Sequence, residues 1–77
     1  INIMRNLPLQ ALEINSEAIE KATYEYDNYK LCLTFTNGGK YNYNGVPNFV
    51  FEGLRLSKSK GKFINKHVLR QYSYSIA

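Results

Sequence analysis

Seventy-seven residues with a net charge of +4, one cysteine, one histidine and no tryptophan make one small domain, whose core stabilises it by only about 3–5 kcal/mol net. Cys32 alone closes no intramolecular disulfide, and with a single His67 it falls short of a four-ligand zinc set, so disulfide scaffolds and zinc modules are excluded. No apolar run approaches the roughly 20 residues of a membrane span, and the opening stretch carries Arg5, Asn6, Pro8 and Gln10, which suits neither a secretory signal nor an anchor.

These features predict a cytoplasmic protein in a reducing setting, without metal or cofactor. With so thin a core, assembly into a homo-oligomer is expected. The charge is unevenly spread. Residues 1–52 hold six acids against four bases, a balance of −2, whereas residues 53–77 hold six bases and no acid, +6. A positive field confined to the C-terminal third favours anionic partners, nucleic acid first.

Along the chain, Leu12 to Ile14 is ambiguous and Asn15-Ser16 reads as a turn. From Ile19 to Tyr26, Ala22, Tyr24 and Tyr26 alternate with Lys21, Thr23 and Glu25, the period of a half-buried strand. Asp27-Asn28 tolerates the positive φ of a tight turn. Lys30 to Thr36 is the clearest strand, with Leu31, Leu33 and Phe35 on one face and Cys32, Thr34 and Thr36 on the other. A two-residue loop at Asp27-Asn28 sets Tyr24 opposite Leu31 and Ala22 opposite Leu33, so register and hydrophobic pattern agree.

Asn37-Gly38-Gly39 makes the next turn, and Lys40 to Tyr43 the third strand. A three-residue loop pairs Thr36 with Lys40, sets Tyr41 opposite Phe35 and sends Tyr41 and Tyr43 into the core. A two-residue loop reverses the parity and leaves both tyrosines on the threonine face, open to a ligand. The pattern allows both, and the shortage of core favours burial.

Pro47 has a φ pre-set for a first helical turn, so a helix begins near it, with Phe49, Val50, Phe51 and Leu54 supplying apolar surface and Gly53 weakening the interior. Ser57 to Gly61 is a polar break in which Ser57 or Ser59 caps a second helix running to about Arg70. On that helix Ile64 and Val68 share one side, and Lys62, Lys66 and Arg70 repeat every four residues on the other. Tyr72, Tyr74 and Ile76 alternate with Ser73 and Ser75, a short final strand at a sheet edge. The expected fold class is α+β: a small antiparallel β-sheet, a three-stranded meander plus the short C-terminal strand, packed by two short helices.

Gly38 or Gly39, then Tyr41-x-Tyr43, Val46-Pro47, the element Ser59-x-Gly61-x-Phe63-x-Asn65, and a closing Tyr72 resemble, in order, the KTSC family. These are short domains that stand alone in bacterial and phage-type proteins and at the C-terminus of some lysyl-tRNA synthetases. The resemblance covers roughly Ser16 to Tyr74, so residues 16–77 are read as the domain and residues 1–15 as an N-terminal extension: an added strand, a dimerisation arm or a disordered segment. Through its company with a synthetase, the resemblance implies RNA binding. Fold alone does not fix function.

Three readings of function follow. In the first, a non-catalytic module binds RNA or another single strand weakly and without sequence preference. Lys58, Lys60, Lys62, Lys66 and Arg70 follow the phosphates, and exposed rings such as Tyr41, Tyr43, Phe63 or Tyr72 stack on bases. In the second, an oligomer binds a small anionic nucleotide at Gly38-Gly39 or at the helix start formed by Ser59, Gly61 and Asn65 with nearby lysines. In the third, a phage or bacterial accessory protein docks on a protein partner by an edge strand, Tyr72 to Ile76 or Lys40 to Tyr43. The plain alternatives are a solvated helix face, ordinary glycine turns and a tyrosine-rich core. An enzyme is not expected. His67 has no carboxylate within five residues in sequence to orient it, and Ser59 lies more than two helical turns away, roughly 12 Å.

Overall fold

The computed structural model describes residues 9–77. Five strands, β1 (Leu9–Glu13), β2 (Ile19–Glu25), β3 (Lys30–Phe35), β4 (Lys40–Tyr43) and β5 (Tyr74–Ile76), form one antiparallel sheet in sequence order. Helices α1 (Asn48–Leu56) and α2 (Lys60–His67) lie between β4 and β5. The α+β class is as expected, with five strands where the sequence pattern shows four. The added strand comes from the N-terminal extension: residues 9–13 pair along β2, and Ile14 behind them is buried. The first eight residues of that extension lie outside the described part of the chain.

The β2–β3 register is the expected one, with Tyr24 opposite Leu31 and Ala22 opposite Leu33. The turn itself differs. Its closing pair is Glu25 with Lys30, and the positive φ falls on Tyr29 (53°) and not on Asp27 or Asn28. Ile19 is out of phase with Ala22 and Tyr24, yet all three are buried. A bulge between Ile19 and Lys21 re-aims Ile19 into the core.

At the β3–β4 turn Tyr41 sits opposite Leu33, not Phe35, and Tyr43 opposite Leu31. The loop has three residues, but they are Thr36, Asn37 and Gly38, one position earlier than the expected Asn37-Gly38-Gly39. Phe35 N donates to Gly39 O (2.8 Å), Gly38 N donates to Phe35 O (2.9 Å), and Gly38 takes φ +96°. Sliding a three-residue loop by one position moves the register by two residues and keeps its parity, so both tyrosines remain on the core side.

Pro47 precedes α1 in an extended conformation, and its carbonyl accepts the Val50 N–H (3.0 Å). Val50, Phe51 and Leu54 are buried, whereas Phe49, expected in the apolar face, is 76% exposed. One face of the sheet carries the core: Ala22, Tyr24, Leu31, Leu33 and Tyr43 pack with Val46, Val50, Phe51, Leu54, Ile64 and Val68. The opposite face, which includes Lys21, Thr23, Cys32, Thr34, Lys40 and Asn42, contributes nothing to this core.

The second helix stops three residues short of Arg70. The Ile64 carbonyl receives both Val68 N (2.9 Å) and Leu69 N (3.0 Å), and Arg70 has φ 72°. A left-handed residue cannot continue a right-handed helix. Arg70 therefore leaves the predicted lysine stripe and joins the connection to β5.

Candidate binding site

The connection from α2 to β5 crosses the end of β4 and leaves an open cleft of about 740 Å³. Phe35, Tyr41 and Tyr43 contribute from the sheet, Leu69, Arg70, Gln71, Tyr72 and Ser73 from the connection, Tyr74 from β5, and Asn37 from the β3–β4 turn. The rings support one another. Tyr41 meets Phe35 edge to face at 5.7 Å and Tyr74 edge to face at 5.4 Å, and Tyr43 lies 5.6 Å from Tyr74. Tyr43 is only 6% exposed, and burial pushes its hydroxyl pKa up, so it is a core residue beneath the cleft. Tyr41 and Tyr72 are half-buried and Tyr74 is 60% exposed. No carboxylate lines this cleft, and its one cation is Arg70, which is exposed.

Lys58, Ser59, Lys60, Gly61, Lys62 and Asn65 gather elsewhere, in a second cleft of about 730 Å³. Its other wall is Glu13, Asn15, Ser16, Glu17 and Ala18, so carboxylates as well as lysines line it. Lys60 is committed to the fold: its Nζ donates to Ser57 O (2.8 Å) and Arg55 O (3.1 Å), closing carbonyls at the C-terminal end of α1. Gly61 serves packing. A Cβ there would come within 2.9 Å of Ser16 Oγ and 3.0 Å of Ser16 Cβ. Ser59 makes no side-chain cap, and its carbonyl accepts from Phe63 N (3.0 Å). Lys66 is exposed on α2 and lines neither cleft.

The residues singled out in the sequence thus divide. Tyr41, Tyr43 and Arg70 fall in the aromatic cleft, and Lys58, Ser59, Lys60, Gly61, Lys62 and Asn65 in the mixed-charge one. Phe63, considered as a stacking ring, instead packs against Gly53 and lies 4.6 Å from His67. Phe35, Asn37, Gln71 and Tyr74 were not anticipated as lining residues. The pairing of β5 with β4 brings the last strand to this place, and periodicity does not reveal strand partners. Among the described residues no group of three or more His, Cys, Asp or Glu is placed to hold a metal ion, and no helix is long and apolar enough to cross a membrane.

One antiparallel meander with a helical pair on a single face, and an aromatic cleft where the last strand returns, defines a small α+β domain. The sequence profile of the KTSC domain matches residues 15–72, and the chain belongs to that family. A protein of Tsukamurella paurometabola, described only as a protein, is 42% identical over 52 residues, which cover 68% of this chain and 78% of that one. The crystal structure of a KTSC domain protein from Yersinia pestis superposes with a TM-score of 0.82 at 26% identity, covering 90% of this chain and 97% of that chain.

Proposed function

We propose that this domain is a non-catalytic module that binds single-stranded nucleic acid, RNA foremost, weakly and with little sequence preference, in the cytoplasm. The observation that carries this reading is the aromatic cleft, lined by Tyr41, Tyr72, Tyr74 and Arg70 with no carboxylate. Tyrosine faces stack on any base, each stacked base contributing about 1–3 kcal/mol, and a guanidinium pairs with phosphate or stacks on a base. Lys62 and Lys66, exposed on α2, supply the positive field along which the backbone runs. Lys60, tied to α1, supplies charge but no free ammonium.

A smaller ligand is the second reading, favoured by the volume of the same cleft, which lies within the range of small-molecule sites. Fluorescence anisotropy of labelled single-stranded RNA and DNA across a salt series, with unlabelled mononucleotide as competitor, separates the two. Strand binding gives an affinity that falls steeply with salt and a slope that flattens in the Lys62→Ala/Lys66→Ala variant. Displacement by mononucleotide with little salt dependence selects the small-ligand reading, and no binding of either sinks both.

A further inference from the structure

β5 is an edge strand, and its ends reveal its hydrogen-bonding phase. Asn44 N donates to Ser73 O (2.9 Å) and Ala77 N donates to Lys40 O (2.9 Å), so Ser73, Ser75 and Ala77 turn their backbone groups toward β4. In an antiparallel ladder this direction alternates residue by residue. The N–H and C=O groups of Tyr74 and Ile76 therefore point to the open side of the sheet, where nothing pairs with them among the described residues.

We propose that this edge receives a second copy of the chain, β5 against β5, about a twofold axis at Ser75. In that register Tyr74 of each copy faces Ile76 of the other, and all four outward backbone groups on each strand find partners with no shift in phase. Ser75 faces its own counterpart. The side chains agree with the backbone. Tyr74 and Ile76, 60% and 80% exposed, lie on the cleft face beside Tyr43 and Tyr41, so the pairing covers a tyrosine with an isoleucine on both sides of the axis.

Charge selects this occupant over an anionic one. Gln71 through Ala77 carries no charged side chain in a chain of net charge +4. The edge has neither the lysine nor the proline that commonly blocks strand addition, and two like-charged molecules meet along their uncharged margin. The β5 backbone edge offers a polyanion no cation. Because Tyr74 also lines the aromatic cleft, the pairing sets two clefts side by side, with Ile76 of the second copy beside each. A contact between three-residue strands belongs to the weak end of interface sizes, so the dimer is concentration-dependent. This inference stands whatever the cleft binds.

The test joins sedimentation equilibrium, over a concentration series reaching the millimolar range, with crosslinking. In a non-hydrogen-bonded antiparallel pair the Cα atoms lie about 4.5 Å apart, inside the disulfide range of roughly 4.4–6.8 Å. A Cys32→Ser/Ser75→Cys variant treated with diamide should give a disulfide-linked dimer, and Cys32→Ser/Ser73→Cys should not, because Ser73 faces Ala77 of the second copy. Ile76→Lys should shift association to higher concentration, as a lysine on an edge strand opposes strand addition, with unchanged circular dichroism. Ala11→Lys on β1, the other edge, should leave association intact. A monomer at every concentration, equal crosslinking at both positions, or loss of association only with Ala11→Lys overturns the proposal.

Discussion

Tyr24 of β2 and Phe51 of α1 lie face to face, with ring centroids 4.7 Å apart and planes within 9°. Both are fully buried, and the Tyr24 hydroxyl donates to Val46 O at 2.6 Å and lies 2.8 Å from the Asn48 side-chain amide. One residue thus ties the sheet to the turn before α1 and to the helix itself. Tyr24→Phe keeps the ring but strands the Val46 carbonyl, with an expected loss of about 1–3 kcal/mol. Phe51→Ala removes the stack and opens a cavity at about 3–5 kcal/mol, enough to unfold so small a domain. Urea denaturation followed by circular dichroism measures both.

The same tyrosine sets an alkaline limit. Burial lifts its pKa from 10.0 to about 12, and burial also raises Tyr26 and Tyr43. Above pH 10 the unfolded chain releases a proton that folded Tyr24 still holds, so folding weakens as pH rises. Its contribution is complete below pH 10 and is lost by about pH 12, at most about 3 kcal/mol for Tyr24. Denaturation midpoints taken between pH 9 and 12 should fall with pH in the parent chain. The slope should be shallower in Tyr24→Phe, and equal slopes would refute the assignment.

Gly61 and Ser16 should be energetically coupled. Ser16 Oγ accepts from Ala18 N (3.2 Å) and Ile19 N (3.4 Å) at the start of β2, and a Cβ at Gly61 would strike Oγ and Cβ together. Gly61→Ala is expected to destabilise by about 1–3 kcal/mol. Ser16→Gly removes both obstructing atoms and the turn bonds, so the double variant should cost less than the two singles combined. Additive losses in a double-mutant cycle would show that the close approach is unimportant.

Lys60 and Lys62 are neighbours with different tasks. Lys60→Ala frees the carbonyls of Arg55 and Ser57 and should lower stability by about 0.5–1.5 kcal/mol, with only a modest effect on strand affinity. Lys62→Ala should do the reverse. Parallel thermal melts and anisotropy titrations read the two effects separately.

How far the sequence reveals this molecule can be judged residue by residue. The alternation of Leu31, Leu33 and Phe35 against Ala22 and Tyr24 gives the β2–β3 register, because a one-residue slip would put the whole apolar set on the wrong face. The pattern leaves the face of Tyr41 and Tyr43 open between two loop parities, and only the shortage of core favours the buried one. It does not give their partners. The three-residue β3–β4 loop sits one position earlier than expected, at Thr36 to Gly38, and parity cannot distinguish the two placements.

Four-residue spacing continues past His67 and suggests Arg70 as the end of a helical stripe. The doubly used Ile64 carbonyl that ends the helix leaves no trace in composition. The cleft depends on the pairing of Tyr74 with Tyr43, a contact between residues 31 positions apart. Such a pairing lies beyond any local pattern. The division of the lysines is equally hidden, for it rests on where Lys60 Nζ turns.

The most direct test of the binding account is amide chemical-shift mapping of the isotope-labelled chain titrated with a short single-stranded RNA. Shifts confined to Tyr41, Arg70, Gln71, Tyr72 and Tyr74, extending to Lys62 and Lys66 and absent in Tyr72→Ala/Arg70→Ala, are the predicted result. No shifts, or shifts centred on Thr23, Cys32 and Thr34 of the opposite sheet face, would contradict it.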